Sequence, residues 1–125
     1  TITAHIFKTS ALGCNAFLGG ISRNYQSNLL LSKDSPWVIL EADEFDRSFL
    51  QLHPKIALIT SMDADHLDIY GDKSELEKSF HEFAGQIKKD GILVHKKGLS
   101  LPTKGINTYS YSLENEADFY AKNLN

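Results

Sequence analysis

A chain of 125 residues is long enough to bury a real hydrophobic core as one domain or part of one. Its 42% hydrophobic and 23% charged content is that of a folded globular chain and argues against disorder. A formal charge of -3 without a basic stripe offers no footprint for nucleic acid, and no apolar run approaches the ~20 residues that insert across a membrane.

The acids are unevenly spread. Eight of the sixteen lie between Glu41 and Asp72, where Arg47 and Lys55 are the basic residues, and such an imbalance attracts a cation. Cys14 is the single cysteine, so no internal disulfide framework can form, and a cytoplasmic setting is expected.

In chain order, residues 2–12 read as a helix closed by Gly13. Gly19-Gly20 permits a tight turn or a close backbone approach to a ligand. A linker is the plainer reading, because the pair lacks the glycine spacing and the Lys-Ser/Thr ending of a phosphate loop. Ser22 to Pro36 is rich in Ser, Asn and Lys around Leu29-Leu30-Leu31, as in a short edge strand or loop.

Trp37–Ala42 predicts a strand buried on both faces, as in a parallel sheet, and it runs straight into Glu41, Asp43, Glu44 and Asp46. Open α/β sheets place ligands at the carboxyl ends of their strands. Glu41 and Asp43 share a side if the strand stays extended that far. Phe45, Phe49 and Leu52 then recur at helical spacing, which predicts a short helix anchored by these three in the core.

Ile56 to Thr60 predicts a second buried strand, opening into Ser61-Met-Asp-Ala-Asp-His-Leu-Asp68. With a helical crossover between them, the two strands are expected to be parallel neighbours whose acidic ends form one site. Asp72 to Lys89 gives the clearest helix, with an apolar stripe of Leu76, Phe80, Phe83, Ala84 and Ile87. Asp72 with Glu75, or Ser74 with Glu77, caps its start; Lys88-Lys89 suits the end of its dipole and Gly91 terminates it. Ile92–Lys96 and Ile106–Tyr111 read as further strands, His81 and His95 as surface residues, and Glu114 to Asp118 as a solvated turn. The fold class is α/β, a mostly parallel sheet flanked by helices.

Glu41, Asp43, Glu44 and Asp46 supply hard oxygen ligands; Asp63, Asp65, His66 and Asp68 add oxygens and one imidazole. That mixture suits magnesium bridging to a phosphate better than an all-protein zinc site. Asp46 and Asp68 could equally cap helices or order loops, and Asp43 could orient a neighbour. These residues leave open an ATP-dependent carboxylate-activating enzyme, a magnesium-dependent phosphohydrolase and a non-enzymatic cation-binding domain.

The pattern becomes specific at Glu41-Ala-Asp-Glu-Phe-Asp-Arg-Ser-Phe49, followed by Leu52-x-Pro54 and Ile59-Thr-Ser-Met-Asp-Ala-Asp-His-Leu-Asp68. Together these resemble the central domain of the Mur ligases. Cys14-Asn-Ala-Phe-Leu-Gly-Gly20, Asp68-Ile-Tyr-Gly-Asp72 and Gly91-Ile-Leu-Val94 extend the likeness over nearly the whole chain. The resemblance is greatest to the branch that joins L-alanine to UDP-N-acetylmuramate in peptidoglycan synthesis; a branch that adds a preformed peptide is the alternative.

The resemblance implies an ATP-binding α/β domain and a ligase that needs ATP and Mg2+. It implies that Glu41 and His66 are the catalytic, magnesium-holding residues and that Asp65 orients the loop or a hydrated cation. Asn15, Gly19 and Gly20 fall near the nucleotide-sugar substrate, Asp43 and Glu44 shape the site, and Ser61 stands where the family commonly has Asn. It also implies that residues 1–125 are a fragment of the central domain. The Gly-rich phosphate loop would then lie upstream and an amino-acid-binding domain downstream, leaving the isolated fragment inactive.

Overall fold

The computed structural model of the chain describes residues 1–63, 70, 72–114 and 116–122. It divides into two compact units, Thr1–Ala42 and Asp43–Asn125, each with its own core.

In the first unit, helix α1 (Ile2–Thr9) precedes strands β1 (Asn15–Ser22), β2 (Ser27–Leu30) and β3 (Val38–Leu40). The sheet order is β2-β1-β3, with β1 antiparallel to β2 and parallel to β3. Alternation along β1 turns Ala16 and Leu18 inward, where they join Ala4, Cys14 and Leu30 with Phe7, Tyr25, Trp37 and Ile39 packed around them. Phe7 meets Trp37 edge-on, at 5.7 Å between ring centroids.

Two expectations change here. β3 is a three-residue strand with Val38 and Leu40 exposed, because only the Ile39 side faces the core; it is not buried on both faces. Gly19-Gly20 is neither a turn nor a linker but lies inside β1, where the β1–β2 register shifts between Phe17 and Ser22.

The second unit contains β4 (Ile56–Ile59), helix α2 (Lys73–Gly85), β5 (Ile92–Lys96), β6 (Asn107–Ser112) and β7 (Phe119–Tyr120). Their order is β4-β5-β6-β7, all parallel. β3 and β4 thus belong to different sheets and are not ladder neighbours, contrary to the sequence expectation. The stretch between them holds a single 3-10 turn, Ser48–Gln51, where a helix was expected.

The stripe on α2 behaves as its spacing predicts. Phe83 and Ala84 are buried with Ala57, Ile59 and Leu93, and Phe80 and Ile87 pack against that cluster. Phe49 closes the same core, its ring centroid 5.6 Å from Phe80 and 5.2 Å from Phe83. Phe45 does not join it and is 49% exposed.

Of the two candidate caps, Asp72 is the one used: its carboxylate accepts the Glu75 N–H at 3.0 Å. The helix ends at Gly85, earlier than expected, so Lys88-Lys89 does not meet its last turn. The reason is competition for the backbone, since the Lys88 N–H donates to the Pro54 carbonyl at 2.9 Å instead of continuing the helix. Gly91 therefore does not terminate the helix. Its missing side chain admits the Lys55 carbonyl, which an added Cβ would meet at 2.7 Å.

The Glu75 amide, and after it the Ser74 side chain, hold the Asp72 carboxyl below its ordinary pKa. A depressed carboxylate stabilises the fold above its unfolded value and loses that contribution as pH falls through the folded one. Asp72→Ala should therefore lower the melting temperature at neutral pH. In melts at stepped pH, the gap to the wild type should close as the solution is acidified below the ordinary aspartate range.

Candidate functional site

In the first unit, β3 ends at Leu40 and the next residue carries the chemistry. The Glu41 N–H extends the ladder to the Phe17 carbonyl at 3.2 Å, which fixes the backbone under the side chain. Its carboxylate Oε2 accepts the Gly19 N–H at 3.2 Å and lies 4.0 Å from the amino-terminal nitrogen of Thr1, the N-cap of α1. Among the described residues no protein group bonds to Oε1, and the side chain is 56% exposed. An accessible carboxylate oxygen would suit a hard cation such as magnesium, and the adjacent amino end of α1 favours the negative charge of a phosphate rather than the cation itself.

Asn15 shares β1 with Gly19, yet its amide is engaged internally on both sides. Its Nδ2 donates to the Ser35 carbonyl at 3.3 Å, and its Oδ1 accepts the Ser32 N–H at 2.9 Å. Gly20 has open space around it.

In the second unit, the acids after Ala42 have separate local tasks. Asp43 accepts the Phe45 N–H and Asp46 the Ser48 N–H, each at 2.9 Å, so both brace turns of their own loop. The Ser48 hydroxyl, with its amide second, holds the Asp46 carboxyl below the usual range. Glu44 contributes its main chain, its carbonyl accepting the Arg47 N–H at 3.1 Å and the Tyr70 hydroxyl. Ser61 and Asp63 bond to each other: the Ser61 hydroxyl donates to the Asp63 carboxylate and accepts the Asp63 N–H at 2.9 Å. Asp65, His66 and Asp68 lie outside the described residues. Among the described residues, no group of three or more His, Cys, Asp and Glu side chains is placed to hold a metal.

Sequence reasoning missed what organises the acidic loop. Arg47 adopts a left-handed backbone at φ 60°, and its guanidinium lies 4.8 Å from the centre of the Tyr70 ring. Tyr70 is buried, with its hydroxyl on the Glu44 carbonyl. Aromatic residues near acids carry no periodic signal, which left this pair illegible. Burial raises the Tyr70 phenol pKa; Arg47 opposes the rise, and Glu44, Asp43 and Asp46 add to it. The neutral donor is thus the folded form, and its contribution is complete below the ordinary tyrosine pKa and fades as pH climbs through the raised one. Tyr70→Phe should cost about 1 kcal/mol in denaturant melts at neutral pH, the worth of one such hydrogen bond.

The Mur ligase middle domain model matches residues 4–125. The chain is 54% identical over 123 residues to a UDP-N-acetylmuramate--L-alanine ligase of Christiangramia forsetii, covering 98% of this chain and 26% of that protein. It is 50% identical over 127 residues to the same ligase of Parabacteroides distasonis, covering 99% of this chain and 28% of that one. The chain therefore spans little more than a quarter of the length of these relatives. A solved structure of UDP-N-acetylmuramate:L-alanyl-gamma-D-glutamyl-meso-diaminopimelate ligase from Neisseria meningitides superposes with a TM-score of 0.70 at 18% identity. It covers 86% of this chain and 40% of that one, and it supports the α/β fold. With a Mur ligase middle domain model that takes in nearly every residue, the chain belongs to the Mur ligases.

Proposed function

We propose that the chain is part of an ATP-dependent ligase that joins L-alanine to UDP-N-acetylmuramate, a step of peptidoglycan synthesis. The observation that carries this reading is the Glu41 carboxylate, held at a parallel strand's carboxyl end beside the amino end of α1. The names of relatives about half identical to the chain supply the substrate.

The reaction has two steps. ATP transfers its terminal phosphoryl group to the muramate carboxylate, giving ADP and an acyl phosphate. The alanine amine attacks the acyl carbon, phosphate leaves with the bonding electrons, and the amide remains after a proton is lost. A bound magnesium ion would offset phosphate charge while the two anionic reactants approach.

Glu41 would supply one oxygen to that ion, and the amino end of α1 favours the negative charge of the phosphate. By family resemblance His66 would hold a second magnesium, and Asp65 would orient that group or a hydrated cation. Asp43 and Glu44 shape the loop through their backbone-directed bonds. Asn15 acts by fixing the 32–35 segment against β1; Gly20 would by the same resemblance lie near the nucleotide-sugar substrate, and Ser61 would shape its own loop through Asp63.

Two measurements on the full-length parent test the reading. Phosphate release from ATP with UDP-N-acetylmuramate should depend on L-alanine; stimulation by a tripeptide in its place would move the protein to the peptide-adding branch. Glu41→Gln and His66→Ala should each weaken magnesium activation by roughly 100-fold, the upper range for losing support of a metal. An unchanged magnesium titration in either variant would remove that residue from the metal role. The 125-residue chain alone should release no phosphate in the same assay.

A further inference from the structure

Within Gly19-Gly20 the two glycines are not equivalent. A Cβ added at Gly20 would meet nothing within 4 Å, whereas one added at Gly19 would fall 2.8 Å from Glu41 Oε1, 3.0 Å from its Cδ and 3.4 Å from Oε2. A contact of 2.8 Å is closer than carbon and oxygen tolerate, so a side chain at position 19 would displace the Glu41 carboxylate. Glycine weakens a strand interior, and its presence there often marks a close approach by another group. At position 19 the approaching group is a carboxylate from 22 residues further along the chain.

The Gly19 amide supplies the attractive half of the arrangement. One step beyond the last β1–β3 backbone bond, from Glu41 N–H to the Phe17 carbonyl, the Gly19 N–H donates to Glu41 Oε2. One oxygen is thereby tethered to the strand while Oε1 has no protein bond among the described residues.

We propose that Gly19 is a positioning residue for Glu41: its amide anchors one carboxylate oxygen, and its missing side chain lets the other be presented to the cation. The inference rests on the reading of Glu41 as a magnesium ligand. It gives Gly19 a task other than contact with the nucleotide-sugar substrate.

The backbone at Gly19 is extended rather than left-handed, so alanine fits it without strain, and the atoms it would meet are the far end of a flexible side chain. Gly19→Ala should therefore fold, with an unchanged or slightly raised melting temperature. Mn2+ alone, titrated into the full-length parent and followed by electron paramagnetic resonance, reports cation binding independently of turnover. Gly19→Ala should weaken Mn2+ binding about 10-fold, the range for loss of a group that orients a ligand.

In a Glu41→Gln background the same substitution should add no further loss, because residues that act through one another are not additive. Glu41→Asp keeps the charge but is too short to reach the Gly19 amide, and it should bind Mn2+ as weakly as Gly19→Ala. Wild-type affinity in Gly19→Ala or in Glu41→Asp, with weakened binding in Glu41→Gln, would overturn the positioning role and leave the magnesium reading standing. Wild-type affinity in Glu41→Gln would overturn both. A further loss on adding Gly19→Ala to Glu41→Gln would show that Gly19 acts by another route and overturn the inference.

Discussion

The Phe49 side chain is the point at which the second unit is tied together. It is buried and touches both Phe80 and Phe83 on one face of α2. It thereby fastens the turn that follows the acidic run to the helix that covers the parallel sheet. Gln86 reinforces the tie, donating to the Leu50 carbonyl at 2.9 Å. Tilted aromatic pairs gain from ring geometry as well as from burial, so a short 3-10 turn can be held without the hydrogen-bonded length of a true helix. The loop of Asp43, Glu44 and Asp46 inherits its order from this anchor at one end and from Tyr70 and Arg47 over its body.

The parts legible in the sequence were those governed by period and by capping chemistry. Leu76, Phe83 and Ala84 announced α2 through their spacing, and Asp72 announced its start through a carboxylate three residues before Glu75. β4, β5 and β6 could be read from short apolar or β-branched runs because parallel strands need no special turn chemistry between them. What failed were inferences about the environment of an element. Val38 to Leu40 has the composition of a doubly buried strand, but exposure is decided by what packs on it, which no local window encodes. The end of α2 was misplaced for the same reason: Pro54, more than thirty positions earlier, captures the Lys88 amide.

The candidate site was legible in a similar, partial way. A run of four acids suggested one cluster, and a polar stretch suggested a second near it. In the fold, Glu41 faces a strand amide and the helix start, while Asp43 and Asp46 spend their carboxylates on turns in the other unit. Residue type marked where charge accumulates and said little about which charge is already committed. Hydrogen-bond partners separate the two groups: a carboxylate with an uncommitted oxygen remains available to a ligand, and one that caps a turn is part of the scaffold.

The parallel sheet of the second unit has two unlike faces. One carries Ala57, Ile59 and Leu93 against α2; alternation turns Ile56, Leu58 and Tyr109 to the other, where they stand exposed. Tyr109 and Phe119 meet at a tilt across neighbouring strands on that side, 5.9 Å between ring centres, and widen the apolar surface. Water wets such a surface at a cost that neighbouring molecules can relieve by association. Polar replacements at Leu58 or Phe119 would therefore shed that cost with no loss from the packed side.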